Sequence, residues 1–279
     1  MLFCIYFCML KELLNENYVD IITELFNFSE ICEIRIRENR NLLVKTDKQR
    51  VLLDYKASKE DIDRIIRVAT CNSLYASEDE VRKGFLKFKG IRIGLAGEVV
   101  TDYNKLITFK NFTSLVLRIP HEIIGVGDKL NLNYENFQNT LVISPPYGGK
   151  TTLIRDIARI LSKRYDTLII DEREEIYNEA FTFGQNVDVI RNAPKDMVLE
   201  GIIRALSPEI IVLDELLPQR DLSVIEEITR CGIKLVASLH GNNFEFIKKL
   251  YPQIINYFNN VITLSNIPKV GSIKSVVRI

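Results

Sequence analysis

A chain of 279 residues, 47% of them hydrophobic, is long for one ordinary domain and has apolar content for two sizeable cores. Lysine plus arginine balances aspartate plus glutamate at 37 against 37, which excludes a global electrostatic pull toward nucleic acid or membrane, so partners must be argued locally. The five cysteines, Cys4, Cys8, Cys32, Cys71 and Cys231, are scattered and form no C-x-x-C pair. That pattern excludes a disulfide frame or zinc site and predicts buried thiols in a reducing cytosol.

Met1 to Leu10 is almost wholly apolar but stops at Lys11 and Glu12, well short of the roughly 20 residues that span a bilayer. It has neither a basic start nor a small-residue cleavage site. Two readings stay open: the first turns of a core helix continuing through Leu13 and Leu14, or an end that touches a membrane or partner. Cys4 and Cys8 would share a face of such a helix. A second helical pattern runs through Val19, Ile22, Leu25 and Phe26. Ile31 to Arg37 then alternates, Ile34 and Ile36 opposite Glu33, Arg35 and Arg37, as a half-buried strand does.

Leu42 to Val44 and Val51 to Leu53 continue a small sheet around Asp47-Lys48-Gln49, and Ser58 with Asp61 marks a helix start before Ile62, Ile65 and Ile66. Tyr75 to Gly84 reads as a further helix, and Phe85 to Val100 as a hairpin turning near Lys89-Gly90. Gly94 and Gly97 inside it predict a bulge or the close approach of another backbone. Arg92 and Arg118 are either solvated sheet-face charges or phosphate contacts for a neighbouring domain or subunit. Gly125-Val126-Gly127-Asp128 opens a Gly- and Asn-rich stretch of weak periodicity. The expected division is an α+β domain over 1–125, a linker over 126–139 and a second domain over 140–279.

The apolar run Thr140 to Ile143, the stretch Ser144-Pro145-Pro146-Tyr147-Gly148-Gly149-Lys150-Thr151, and the amphipathic run Thr152 to Leu161 read as strand, phosphate-cradling loop and helix. A triphosphate is met most simply by backbone N–H groups and the positive end of a helix. Gly148 and Gly149 let the backbone approach closely. Lys150 reaches the β and γ phosphates, and the Thr151 hydroxyl ligates Mg²⁺. Ser144 stands where the usual pattern has Gly, while Pro145 and Pro146 remove two possible donors. The expected ATP-binding set is therefore 144–151 together with Thr152.

Thr167 to Asp171, Val187 to Ile190, Ile210 to Leu213 and Ile233 to Ser238 are buried-strand runs alternating with helices. They call for a parallel sheet covered on both faces, with its chemistry at the carboxyl ends of the strands. Asp214 is there to hold the Mg²⁺ shell and Glu215 to orient the attacking water. Glu172 assists with water or metal, Arg173 senses the γ phosphate, and His240, just before Gly241, is a further sensor; capping and structural roles remain open for these. Arg191 and Arg204 are candidate fingers for a neighbouring site, a device contributing about 10³ to 10⁵ in rate, or roughly 4 to 7 kcal/mol of barrier.

The run Gly201-Ile202-Ile203-Arg204-Ala205-Leu206-Ser207-Pro208-Glu209 leading into Ile210 to Glu215, followed by Val236-Ala237-Ser238-Leu239-His240-Gly241, resembles the stage III sporulation protein AA family. The P-loop with Thr152-Leu153-Ile154-Arg155-Asp156, the run Asp171 to Ile176, and in the first domain Glu33 to Arg37 and Gly94 to Gly97 are similar to it as well. The resemblance implies a RecA-like P-loop ATPase domain akin to secretion ATPases. It further implies a cytoplasmic homo-hexamer, peripheral at the mother-cell face of the forespore membrane, working with membrane channel proteins of the sporulation complex. Leu216-Leu217-Pro218 and Lys89-Gly90-Ile91-Arg92 depart from the family pattern away from the nucleotide core. The alternative is a P-loop ATPase that binds single-stranded nucleic acid; no basic, aromatic-interleaved extension follows the strand pair Val261 to Leu264 and Ser272 to Val277, so no nucleic acid is expected.

Overall fold

The computed structural model describes residues 2–102, 105–130 and 132–279, without the side chains of 2–6, 105 and 106. The expected Cys4–Cys8 face therefore lies outside the described residues. The chain forms two units, Met1–His121 and Glu122–Ile279.

The first unit begins with α1 (Leu2–Leu13) and α2 (Glu16–Leu25), continues through β1 (Ile31–Arg37), β2 (Asn41–Thr46), β3 (Arg50–Lys56) and α3 (Lys59–Ala69), and closes with α4 (Glu78–Arg82), β4 (Phe85–Phe88), β5 (Ile91–Asp102) and β6 (Lys105–Arg118). Leu10, Leu13 and Leu14 are fully buried and α1 packs on α3, so this part of the apolar opening serves a core. Ser58 and Asp61 form a reciprocal capping box at the start of α3, satisfying two donors that a helix end leaves free. The predicted helix over Tyr75 to Gly84 is shorter: a 3₁₀ turn at Tyr75–Ser77 leads into α4.

The sheet order is β3-β2-β1-β6-β5-β4, antiparallel throughout. Lys89 and Gly90 both take positive φ in the β4–β5 turn, matching the strand twist that tight hairpins require. At Gly97 a Cβ would lie 2.8 Å from the Lys110 carbonyl oxygen, where the β5–β6 register shifts. Ile34, Ile36, Ile93, Leu115 and Leu117 are buried on one face of the sheet. Across the other face, register places Arg50, Lys45, Glu33, Arg118, Arg92 and Lys87 in one row over six strands.

The second unit carries β7 (Thr140–Ser144), α5 (Lys150–Leu161), β8 (Thr167–Asp171), β9 (Val187–Arg191), α6 (Lys195–Leu206), β10 (Ile210–Glu215), α7 (Leu222–Arg230), β11 (Lys234–His240), α8 (Phe244–Leu250), α9 (Pro252–Ile255), β12 (Asn260–Ser265) and β13 (Ser272–Arg278). Strand order is β13-β12-β7-β11-β10-β8-β9. Every pairing is parallel except β12–β13. Alternate residues of each central strand feed two cores. Leu141, Ile143, Ile211 and Leu213 meet α6 to α9, whereas Val142, Ile210 and Val212 meet α5. Burial on both faces is why these strands read as continuous apolar runs.

Two expectations change on folding. Residues 126–139 are not a free linker: Leu130 and Phe137 are 2% and 3% exposed and join the core under α5. The Gly127 N–H donates to Asp156 Oδ2 at 2.6 Å and Tyr134 Oη to the Gly127 carbonyl at 2.8 Å. The cysteines are not all buried either. Cys8, Cys71 and Cys231 are exposed, the last two because they sit at helix C-terminal turns.

Buried Asp156 also accepts from the buried Arg159 guanidinium at 2.6 Å. Asp156→Ala leaves that cation only Asp128, at 3.6 Å, and strands the Gly127 N–H, and is expected to cost about 3 kcal/mol in urea unfolding of the second unit. A change below about 1 kcal/mol would show that the 126–139 segment does not depend on this carboxylate.

Candidate functional site

The loop after β7 is shaped by backbone conformation more than by side chains. Tyr147 and Gly149 have φ of +58° and +85°, and the Gly148 N–H donates to the Pro145 carbonyl at 3.0 Å. A Cβ at Gly148 would meet Ser144 Oγ at 2.2 Å, so no other residue fits this turn. The first turn of α5 has no side-chain cap and no acid. Its unsatisfied N–H groups and positive dipole end therefore face a cavity of about 540 Å³, lined among others by Gly149, Lys150, Thr151, Thr152, Glu175 and Glu215.

The ends of β10 and β11 and the turn after β8 meet the other side of this cavity. Glu215 Oε2 is approached by three groups at once: Lys150 Nζ at 3.0 Å, Arg173 Nη1 at 2.9 Å and His240 Nε2 at 3.1 Å. Burial pushes the Glu215 carboxyl up, but the Lys150 hydrogen bond and the surrounding positive charge outweigh it and hold the group below its ordinary range. Beside it Asp214 is 2% exposed. Burial, with Glu175 and Asp171 nearby, raises its pKa to about 6 against the pull of Lys150 and Arg173. Asp214 Oδ2 is buried with no hydrogen-bond partner.

The structure thus brings together Ser144 to Thr152, Asp214, Glu215, Arg173 and His240. His240 pairs with Ser144 across the β7–β11 ladder, and the Gly241 N–H donates to the Ser144 carbonyl at 3.0 Å, so the histidine's place follows from strand register. Three expected residues stand apart. Glu172 turns away from the cavity into a cluster with Lys195 and Arg220. Arg204 lies on an exposed face of α6 with Glu200 as its i−4 partner, and Arg191 faces Glu179 and the Tyr177 ring.

Two residues missed in the sequence are prominent here. Glu175 lines the cavity, and Thr151 Oγ1 donates to it at 3.4 Å. Its position is set by buried Asp171, whose carboxylate accepts the N–H groups of Glu175, Ile176 and Tyr177 at 2.8 to 3.0 Å. Arg155 on α5 ties down the same turn through the carbonyls of Glu175 and Ile176. In a run of acids and one arginine, composition does not say which side chain turns inward. Lys195 is fully buried, paired with Glu172 and with Asp221 at 3.2 Å, and donates to the Glu215 main-chain carbonyl at 3.1 Å. A signal for it existed, since a cation in the first turn of a helix opposes the dipole and calls for buried acids nearby.

Burial raises the Glu172 carboxyl, while hydrogen bonds from Lys195 and Arg220 prevail and lower it from 4.5. A depressed carboxylate contributes stability above its unfolded pKa and loses it as pH falls through the folded one. Glu172→Gln should therefore lower the thermal midpoint at pH 7, with the gap to wild type closing below about pH 4. An equal gap at both pH values would remove the ion-pair role.

Over residues 9–278 the chain matches the family described as sporulation stage III, protein AA. Stage III sporulation protein AA of Bacillus subtilis strain 168 is 33% identical over 248 residues, covering 83% of this chain and 81% of that protein. Among solved structures, the pilus retraction motor PilT with bound ADP is similar at a TM-score of 0.62 with 16% identity, over 95% of this chain and 82% of that one. The Legionella pneumophila ATPase DotB is similar at 0.57 with 15% identity, over 88% and 75%. The fold is that of the RecA-like secretion ATPases, with a mostly parallel sheet in the second unit, and by its sequence the chain belongs to the stage III sporulation protein AA family.

Proposed function

We propose that this protein binds ATP with Mg²⁺ at the loop 144–152 and hydrolyses its β–γ phosphoanhydride. The observation that carries this reading is the convergence of Lys150, Arg173 and His240 on one carboxylate oxygen beside an uncapped helix start. Two cations and an imidazole so arranged suit a terminal phosphate, and Glu215 Oε2 stands in for that anion. When a phosphate takes Lys150, the Glu215 carboxylate loses its strongest partner and becomes more basic. It can then accept a proton from a water whose oxygen bonds to the γ phosphorus as the bond to the bridging oxygen breaks, leaving ADP and phosphate.

The residues fit a magnesium ion. Thr151 Oγ1 would ligate it directly, and buried Asp214, with its unpartnered Oδ2, and Glu175 would hold its water shell. Bound there, the ion would supply charge neutralisation for the phosphate oxygens. Glu172, committed to Lys195 and Arg220, supports the β10 end.

We place the activity in a homo-hexamer working with membrane channel proteins of the sporulation complex, in the cytoplasm and peripheral to the membrane, where ATP energises assembly or transport. Family membership supports the setting. No helix of the described residues is long and apolar enough to cross a membrane. Exposed Arg204 is available to complete a neighbouring copy's site. A second reading, single-stranded nucleic-acid binding, draws on the basic row Arg50, Lys45, Arg118, Arg92 and Lys87, because like charges in register favour an anion laid across them. Anisotropy of labelled single-stranded DNA separates the two; salt-sensitive binding supports the second.

Lys150→Ala should abolish nucleotide binding in calorimetry. Glu215→Gln should bind ATP at least as tightly as wild type, because an internal competitor for Lys150 is weakened, while steady-state phosphate release falls by a factor on the order of 10² or more. Undiminished turnover in Glu215→Gln would refute its role. In sedimentation velocity, a non-hydrolysable ATP analogue should shift wild type to a larger species, and Arg204→Ala should keep binding but lose turnover.

A further inference from the structure

We propose that the tip of the β12–β13 hairpin, through Val270, is the resting surface for the nucleobase; this depends on the nucleotide-binding reading above. The argument is topological. Strand β7, which delivers the phosphate loop, lies between β11 and β12. The groups suited to a terminal phosphate, His240 and Arg173, come from β11 and the turn after β8, both on one side of β7. A nucleotide whose γ end is fixed there must direct its sugar and base to the other side, where β12 and β13 lie.

The hairpin tip is in place to receive them. Val270 lines the same cavity as Lys150 and Thr152. A Cβ built on Gly149 would stand 3.2 Å from Gly271 Cα and 3.9 Å from Val270 Cγ1, so the tip abuts the loop at the start of α5. The turn is already held: Ser272 donates to the Lys269 carbonyl from Oγ at 2.7 Å and from its N–H at 3.1 Å, and Gly271 adopts φ +79°. Val270 is 62% exposed, and covering it with a flat heterocycle removes apolar surface from water. Its side chain offers no hydrogen bond, so it contributes contact to any base and nothing to a bare polyphosphate.

The test compares AMP-PNP with inorganic tripolyphosphate, each with Mg²⁺, on wild type and the uncharged variant Val270→Ser by calorimetry, with Val270→Ile as the conservative control and circular dichroism melts to verify folding. Wild type should bind AMP-PNP more tightly than tripolyphosphate. Val270→Ser should weaken AMP-PNP about tenfold and leave tripolyphosphate nearly unchanged, while Val270→Ile retains both. Equal weakening of the two ligands, or no change in either, overturns the assignment of Val270 while leaving the phosphate site standing. If wild type binds neither ligand, the nucleotide reading itself falls.

Discussion

The second unit is organised around one electrostatic problem: an uncapped helix start and three side chains, Lys150, Arg173 and His240, directed at a single point. Without an anion there, the repulsion between Lys150 and Arg173 and the unsatisfied N–H groups would be costly in a half-closed cavity. The Glu215 carboxylate meets that cost from within. Its own burial penalty is repaid by the cations around it. On the proposed nucleotide-binding reading, an incoming phosphate would replace a carboxylate already in that electrostatic setting.

Holding that carboxylate in place takes a second layer. Lys195, buried without solvent contact, donates to the Glu215 carbonyl and, together with Arg220, balances Glu172 and Asp221, and Asp221 in turn accepts the Leu217 N–H at 2.8 Å. The turn Leu216-Leu217-Pro218 is thus pinned by an ion cluster and by the Leu216 N–H donating to the Ser238 carbonyl at 2.8 Å. On the other side Asp171 folds the acidic turn so that Glu175 faces the cavity, and Arg155 locks it to α5. The phosphate-loop helix and the two acidic strand ends therefore form one connected assembly. Asp214, left with a raised pKa and an unpartnered oxygen, is the part of it that is unsatisfied without a cation.

The first unit is built on different physics. Its antiparallel sheet buries one face and leaves the other carrying a row of five cations and one acid across all six strands. Cross-strand like charges weaken a sheet, and Glu33, set between Lys45 and Arg118 but ion-paired with Arg35, relieves only part of the row. Arg92 stacks over the Phe85 ring at 3.9 Å, which holds one guanidinium against an aromatic face.

Much of this was legible in the chain because it depends on local chemistry. The glycines of the phosphate loop, the four-residue apolar runs ending in acids, the Ser58–Asp61 cap and the Lys89-Gly90 turn all act over a few residues, where spacing and side-chain type fix the backbone. The sequence by itself therefore determined the strand–loop–helix at 140–161, the parallel sheet of the second unit, and Lys150, Thr151, Asp214 and Glu215 as candidates. What only the tertiary structure decided is which charges meet. Glu172 and Glu175 lie three residues apart, yet one faces Lys195 and the other the cavity, because the Asp171 turn and α6 take them in opposite directions. Residues 126–139 look like a linker in composition but are packed under α5, since buried contacts with partners about thirty residues away, Asp156 among them, outweigh weak local periodicity. Val270 lies some 120 residues from Lys150 in the chain, and strand order alone places it against the loop.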